Sequence, residues 1–149
     1  KAKIPDISLT TDIIVGFPGE TEEDFLETMD VVQKVRYDSA FTFQYSKRTG
    51  TPAAAMDEQV PADIVKDRFD RLLNEVQHIS AEVCSVYTDT IQEVLVEMVN
   101  DHDTALVTGR MSNNLLVHFP GDISLVGKLV SVKLTECHGF YYLGEMVNN

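Results

Sequence analysis

The sequence has few groups that could hold a metal. It contains only two cysteines, Cys84 and Cys137, which stand far apart with no partner at metal-ligand spacing. A disulfide framework is therefore not expected, and a reducing cytoplasm is the default compartment. Neither cysteine has the cationic neighbourhood that makes a reactive thiolate. The four histidines show no metal-ligand spacing either, and we interpret them as ordinary surface or half-buried residues. They are His78, His102, His118 and His138.

Basic residues and long apolar runs are scarce as well. The chain has 12 Lys and Arg against 24 Asp and Glu, a net charge of −12, and only three of the basic residues follow Tyr87. Nucleic-acid binders usually carry a basic patch, so this composition argues mildly against RNA binding. No apolar run approaches the roughly 20 residues that span a bilayer, so no membrane partner is expected. The segment Lys1–Pro5 lacks an initiator Met and a secretory apolar region, which indicates a cut inside a longer protein.

The first part of the chain has an α/β pattern. A buried-strand run within Ile7–Val15 ends at a glycine-bearing turn, and Thr21 then offers an N-cap oxygen to a helix with an acidic first turn. A second strand, Ala40–Tyr45, leads into a loop rich in Gly and Pro. Strand, helix and strand in this order predict a βαβ unit on a parallel sheet.

A long helix is predicted after Pro61. Its apolar residues recur at alternating steps of four and three, which is the spacing of one continuous seam. The seam consists of Val65, Phe69, Leu72, Val76, Ile79, Val83 and Val86. We interpret it as a helix packed on its own domain. A coiled-coil partner helix and a semi-rigid connector between domains are the alternatives.

From about Thr88 the pattern changes to short alternating segments separated by turns. Five strands are predicted, and five short strands in about 60 residues favour a small OB-like barrel. They are Ile91–Val99, Thr104–Met111, Leu115–Phe119, Gly127–Thr135 and Gly139–Val147. We therefore predict two domains, residues 1–87 and 88–149.

The run Thr10–Phe25 is the most specific motif. It is a buried strand that ends at Gly16-Phe17-Pro18-Gly19 and feeds a capped helix. Glycine allows a ligand to approach the backbone closely, and the carboxyl ends of parallel strands are where α/β folds bind ligands. From these properties alone, a structural turn and a binding turn are equally good interpretations.

The same run resembles the fifth-strand motif of radical-SAM barrels, which packs near the adenine of S-adenosylmethionine. Ile14 and Gly16 match that motif, and its acidic residue falls one place late, at Glu20. The later stretches Arg36–Phe43, Tyr45-Ser46, Arg48 and Gly50–Ala54 resemble the methylthiotransferase branch, most of all its MiaB type. The likeness extends over Ile4–Val147. It implies a set of cofactor-binding residues: Ile14, Gly16, Pro18, Gly19, Glu20, Tyr45, Ser46 and Arg48.

The predicted barrel resembles the TRAM domain of the same family, an RNA-binding module that grips the substrate tRNA. The matching elements include Gly109-Arg110, Asn114, Phe119, Gly127-Lys128 and Gly144-Glu145. Arg110 and Lys128 are then candidates for phosphate contacts, and Phe119 or Tyr141 for base stacking. The alternatives are that Phe119 is a core residue and that Arg110 pairs with an acid. The expected RNA-binding residues are Arg110, Asn113, Asn114, Lys128 and Lys133.

The resemblance also implies what the chain needs from elsewhere. The family uses S-adenosylmethionine and two [4Fe–4S] clusters, each held by three cysteines, and thiolates are the usual cluster ligands. This chain has no close cysteine set, so we expect the fragment alone to hold no cluster and to be inactive. Its expected partners are tRNA and the missing N-terminal domains of the same chain. Unpaired backbone groups at the exposed sheet edges also favour self-association of the fragment.

The function implied is methylthiolation at position 2 of N6-isopentenyladenosine in the tRNA anticodon loop. Related methylthiotransferases that act on threonylcarbamoyl-adenosine in tRNA or on a ribosomal protein are alternatives, as is a stand-alone RNA-binding module.

Overall fold

The computed structural model describes residues 3–4 and 7–147. Most of the segment Lys1–Pro5, interpreted above as an internal cut, lies outside the described residues. Within them, no helix is both long and apolar enough to cross a membrane. The helices and strands are β1 (Thr10–Val15), α1 (Glu22–Val35), β2 (Ser39–Gln44), α2 (Ala62–Ser85), β3 (Ile91–Val99), β4 (Leu106–Met111), β5 (Leu116–Pro120), β6 (Leu129–Cys137) and β7 (Tyr141–Met146).

Residues 9–80 form one compact unit, the α/β unit. Strands β1 and β2 pair in parallel, from Thr10 opposite Ser39 to Val15 opposite Gln44. The buried carboxylate of Asp38 accepts a hydrogen bond from the Leu9 backbone N–H at 2.9 Å, which fixes where the pairing starts. The predicted strand–helix–strand order is confirmed.

Helix α1 begins with a capping box. Thr21 Oγ1 accepts from the Asp24 backbone N–H at 3.2 Å, and Asp24 Oδ2 accepts from the Thr21 N–H at 2.9 Å. This hydrogen bond from the Thr21 backbone holds the pKa of Asp24 below its ordinary value. The N-cap role predicted for Thr21 is therefore confirmed.

The apolar seam of α2 is only partly confirmed. Val65, Leu72, Val76 and Ile79 are buried, as the spacing predicts. The prediction is wrong for Val86, which lies beyond the end of the helix at Ser85 and is 68% exposed. After Ser85 the backbone forms tight turns, in which the Tyr87 N–H donates to the Cys84 carbonyl and the Thr88 N–H to the Ser85 carbonyl, both at 3.1 Å. Cys84 itself is part of the barrel core.

Strands β3 to β7 close into a barrel in the order β3-β4-β5-β7-β6. Neighbouring strands are antiparallel except for β5 and β7, which are parallel. The predicted five-stranded OB-like barrel is confirmed. Its interior is filled by side chains that alternate with outward-facing ones along each strand. Phe119 is fully buried there, so it is a core residue and not a stacking face.

The barrel belongs to a second compact unit that includes residues 81–147. The Tyr142 hydroxyl donates a hydrogen bond to the Cys84 carbonyl oxygen, which ties the last turn of α2 to the barrel. Burial of the phenol raises the pKa of Tyr142.

The two-domain division leads to a prediction about proteolysis. We expect limited digestion to cut between Val83 and Gln92 and to release a stable β-rich fragment, since the barrel has its own closed core. Mass spectrometry of the fragments and circular dichroism of the purified product check this. A chain that melts and digests as a single unit would contradict the division.

Candidate cofactor cleft and barrel surface

A cleft lies where β1 and β2 end. Its volume is about 490 Å³, within the usual range for small-molecule sites. Apolar walls and polar groups face it together, in the arrangement that orients a small ligand. It is lined by Ile14, Phe17, Phe43, Gln44, Tyr45, Ser46, Arg48, Thr51 and Ala53. Four of the predicted cofactor-binding residues therefore share one cleft: Ile14, Tyr45, Ser46 and Arg48.

Tyr45 has an unpaired polar atom at this cleft. Its backbone N–H donates to the Val15 carbonyl at 2.8 Å, and its ring meets the Phe17 ring edge-on at 5.4 Å between centroids. The hydroxyl oxygen is buried and has no hydrogen-bond partner among residues 3–4 and 7–147. A buried polar atom without a partner is costly, so this hydroxyl is suited to bind a ligand or water.

The other four predicted cofactor residues form the turn beside the cleft. Glu20 turns its carboxylate back on that turn, and each oxygen accepts from the Gly16 backbone N–H at 3.0 Å. Pro18 is buried, and the Gly19 N–H donates to the Glu58 carbonyl at 2.8 Å. These contacts give Glu20, Pro18 and Gly19 structural roles, while cofactor contact by any of them stays a prediction.

The packing of α2 against this turn requires a glycine at position 16. Its φ is +78°, and a β-carbon there would lie 2.5 Å from Val65 Cγ2. The space where a β-carbon would lie is thus occupied by Val65 of α2, while cofactor contact by Gly16 stays a prediction. The glycine fits both a left-handed backbone and a close helix contact.

Sequence reasoning missed Arg68, which organises this turn. Its side chain is buried, and Nη1 donates to Glu20 Oε1 at 2.7 Å and to the Glu20 carbonyl at 3.0 Å. Its Nε donates to Glu22 at 3.2 Å. The sequence did contain a signal, because Arg68 stands between Val65 and Leu72 at helical spacing, a charge inside an apolar stripe.

A second arginine extends this ion-pair network to the surface. Arg71 Nη1 donates to Glu22 Oε1 at 2.8 Å, and this hydrogen bond holds the pKa of Glu22 below its ordinary value. The Arg71 guanidinium also lies 4.6 Å from the centroid of the buried Phe25 ring. The network therefore connects the Gly16 turn to the first turn of α1.

One face of the β1–β2 sheet is apolar and exposed. Ile14, Phe41 and Phe43 lie on this face, since Asp12 pairs with Phe41 and Ile14 with Phe43. Their exposed fractions are 55%, 62% and 49%. A contiguous exposed apolar surface is typical of a site that another element covers.

On the barrel, three of the predicted RNA-binding residues lie together at β4 and the turn that follows it. Arg110 Nε donates to Glu97 Oε2 at 2.9 Å, and its Nη1 donates to the Asn114 carbonyl at 3.1 Å. Asn114 has a φ of +70°, and the side-chain oxygen of Asn113 accepts from the Leu115 N–H. Arg110 thus has an acidic partner, and the two asparagines shape the turn.

The two lysines lie elsewhere on the barrel. Lys128 is exposed and immediately precedes β6. The next residue, Leu129, lies opposite Leu95 of β3, which in turn lies opposite Arg110 of β4. Lys133 lies farther along β6 and forms an ion pair with Asp89 at 3.5 Å. Lys133, opposite Ile91, therefore lies four residues along β6 from the row that contains Arg110.

Within the described ranges 3–4 and 7–147, no group of three or more His, Cys, Asp or Glu side chains could hold a metal ion. Cys84 is buried and Cys137 is half-buried, and neither forms a disulfide with another described residue.

Comparison with known proteins agrees with this fold. Residues 85–147, which contain the barrel, match the family model of the TRAM domain.

The whole chain is similar to enzymes named tRNA-2-methylthio-N(6)-dimethylallyladenosine synthase. It is 60% identical over 149 residues to the protein of Lachnoclostridium phytofermentans, covering 100% of this chain and 33% of that protein. It is 54% identical to the protein of Alkaliphilus oremlandii, over 99% of this chain and 31% of that protein. It is 55% identical to the protein of Clostridioides difficile, with 100% and 31% covered. The chain spans about a third of the length of these relatives, and it is homologous to their C-terminal third.

Proposed function

We propose that this chain is the C-terminal part of a cytoplasmic tRNA-modifying enzyme. The whole enzyme methylthiolates position 2 of N6-isopentenyladenosine in the tRNA anticodon loop. The observation that carries this proposal is the 50–60% identity, over essentially the entire chain, to synthases of that name. The cleft at the ends of β1 and β2 supports it, because that is where a parallel α/β fold binds its ligand.

The residues of the cleft fit S-adenosylmethionine. Ile14, Phe17 and Phe43 offer an apolar wall for the adenine ring. The unpaired Tyr45 hydroxyl, Ser46 and the exposed Arg48 offer hydrogen bonds and a positive charge for the polar and carboxylate groups. When bound, the cofactor supplies radical chemistry and the methyl group, together with [4Fe–4S] clusters held by the rest of the enzyme.

The exposed apolar face of the β1–β2 sheet has a place in this proposal. In the whole enzyme, the remaining strands of the barrel cover Ile14, Phe41 and Phe43 and pair with the free sheet edges. This chain, about a third of the enzyme, therefore contains only one side of the cofactor site. The fragment alone is inactive for this reason and because it lacks close cysteines.

The TRAM barrel binds tRNA in this proposal, chiefly through charge. Lys128 contacts phosphate directly, whereas Arg110 exchanges Glu97 for a phosphate oxygen. Both contacts release counterions from the tRNA, and neither depends on the base sequence. Because the chain carries a net charge of −12, the rest of the enzyme supplies most of the affinity.

A salt titration tests this role. We define the composite enzyme as the Lachnoclostridium phytofermentans relative with its matching third replaced by this chain. Lys128→Ala and Arg110→Ala are each expected to weaken binding of all tRNAs alike and to lower the salt slope by about one. Glu97→Ala is expected to strengthen binding, because it frees Arg110 from its ion pair.

The matched control is Lys34→Ala, which removes an exposed lysine of α1 that pairs with Asp30 at 2.5 Å. It should leave both the affinity and the slope unchanged. Unchanged values for Lys128→Ala and Arg110→Ala would mean that TRAM is a structural cap in this enzyme and not an RNA-binding surface.

A further inference from the structure

A stack of three aromatic rings lies on the outer surface of the TRAM barrel. Tyr141 and His138 are parallel, with an interplanar angle of 7° and centroids 4.9 Å apart. His118 lies on Tyr141 from β5, tilted by 53° with centroids 4.9 Å apart. Outward-facing rings on three segments of the barrel therefore meet in one place.

The tight turn between β6 and β7 holds the outer end of this stack. The His138 N–H donates to the Tyr141 carbonyl at 2.9 Å, and the Phe140 N–H donates to the His138 carbonyl at 3.0 Å. The His138 side chain is 41% exposed, and Phe140 is 52% exposed. The turn thus presents two aromatic rings to solvent, one of them supported from behind by Tyr141.

The inner end of the stack is fixed by hydrogen bonds. Thr108 Oγ1 and Asn100 Nδ2 lie 2.9 Å and 3.2 Å from His118 Nδ1. Burial lowers the pKa of His118 and so favours its neutral form. A ring held in this way loses little freedom when a ligand stacks on its neighbours.

Arg110 lies near the stack on the same outer row. Strand pairing aligns Arg110 with Leu116, and Leu116 with Tyr141. Arg110 and Tyr141 therefore lie two strands apart, and their backbones are separated by about 10 Å. A supported ring next to a cation is the arrangement that single-stranded nucleic acid binds, base on ring and phosphate on charge.

We propose that the His138–Phe140 turn is a stacking platform for an unpaired nucleobase of the bound RNA, with Tyr141 and His118 as its support. This inference rests on the proposed function, because it assumes that the barrel contacts RNA. Base stacking is tolerant of sequence, so the platform adds affinity to the few cationic contacts that the acidic barrel offers.

The four histidines permit a direct test on the 149-residue chain. The probe is a single-stranded oligoadenylate of about a dozen nucleotides, a length in the range that one small barrel binds. Titration followed by NMR of the histidine rings is expected to shift the His138 protons upfield by ring current, with no change at His78. An oligonucleotide of equal length with abasic positions should leave His138 unshifted.

Variants give the second measurement. His138→Ala and Phe140→Ala are each expected to lower the oligoadenylate affinity about tenfold. His138→Phe should retain the affinity, since it keeps a flat ring on Tyr141. Ile123→Ala, which removes another exposed apolar side chain of the barrel, is the matched control and should have no effect.

The outcomes separate the two proposals. Oligoadenylate binding without a His138 shift, and unaffected by the alanine variants, overturns the platform and leaves RNA binding by the barrel intact. Absence of oligoadenylate binding by this chain overturns the platform, and absence of tRNA binding by the composite enzyme overturns the proposed function as well. If the His138 signals shift with protein concentration in the absence of RNA, the turn contacts a second copy of this chain. That result would overturn the platform.

Discussion

Replacing Arg68 by alanine is expected to lower the free energy of unfolding of the α/β unit by about 3–5 kcal/mol. The buried guanidinium forms ion pairs with Glu20 and Glu22. Its loss leaves the Glu20 carboxylate, which is only 13% exposed, without a cationic partner. Urea unfolding followed by far-UV circular dichroism measures this, because most helical residues belong to the α/β unit.

Arg71→Ala is the matched control. Its side chain is 39% exposed, and its ion pairs with Glu22 and Asp67 lie at the surface. We expect a loss of about 1 kcal/mol or less. Adding Glu20→Ala to Arg68→Ala should cost less than the sum of the two single changes, because one buried pair is then removed whole. Equal effects at Arg68 and Arg71 would contradict the role assigned to Arg68.

Gly16→Ala has the second large expected effect, a loss of about 2–4 kcal/mol in the α/β unit. A left-handed φ costs an alanine about 1 kcal/mol, and overpacking against Val65 adds about 1–3 kcal/mol. The same urea unfolding measures the change.

Gly50→Ala separates the two causes. Gly50 has a φ of +86°, and a β-carbon there would meet nothing within 4 Å. Its loss should therefore be only the backbone part, about 1 kcal/mol. The double variant Gly16→Ala, Val65→Ala should lose less stability than the sum of the two single changes, because the smaller side chain leaves room for the new β-carbon. A Gly16→Ala protein no less stable than Gly50→Ala would show that Val65 does not crowd the turn.

The sequence predicted the architecture well because the relevant signals are local. Alternation in Leu129–Leu134 and the N-cap at Thr21 depend on neighbouring residues, and both correspond to observed elements. The end of α2 was wrong at Val86, since apolar spacing does not mark where a helix ends. Nor could it reveal that Cys84 packs in the barrel core, a contact distant in sequence.

The candidate sites were less predictable for the same reason. The sequence placed Gly16 in a turn, but it could not reveal that Val65 fills the adjacent space. It marked Arg110 as a cation, but the pairing with Glu97 depends on the register of β3 and β4. The stack of His118, Tyr141 and His138 is likewise formed only when β5 and β7 pair in parallel.

The most direct test of the proposed function is mass spectrometry of tRNA nucleosides. The composite enzyme is expressed in a bacterium that lacks its own synthase, beside a version without this chain. We expect 2-methylthio-N(6)-dimethylallyladenosine to appear with the composite enzyme, and only the unmethylthiolated nucleoside without the chain. A folded, cluster-loaded composite enzyme that yields no methylthiolated nucleoside, or modifies threonylcarbamoyl-adenosine instead, would contradict the function proposed for this chain.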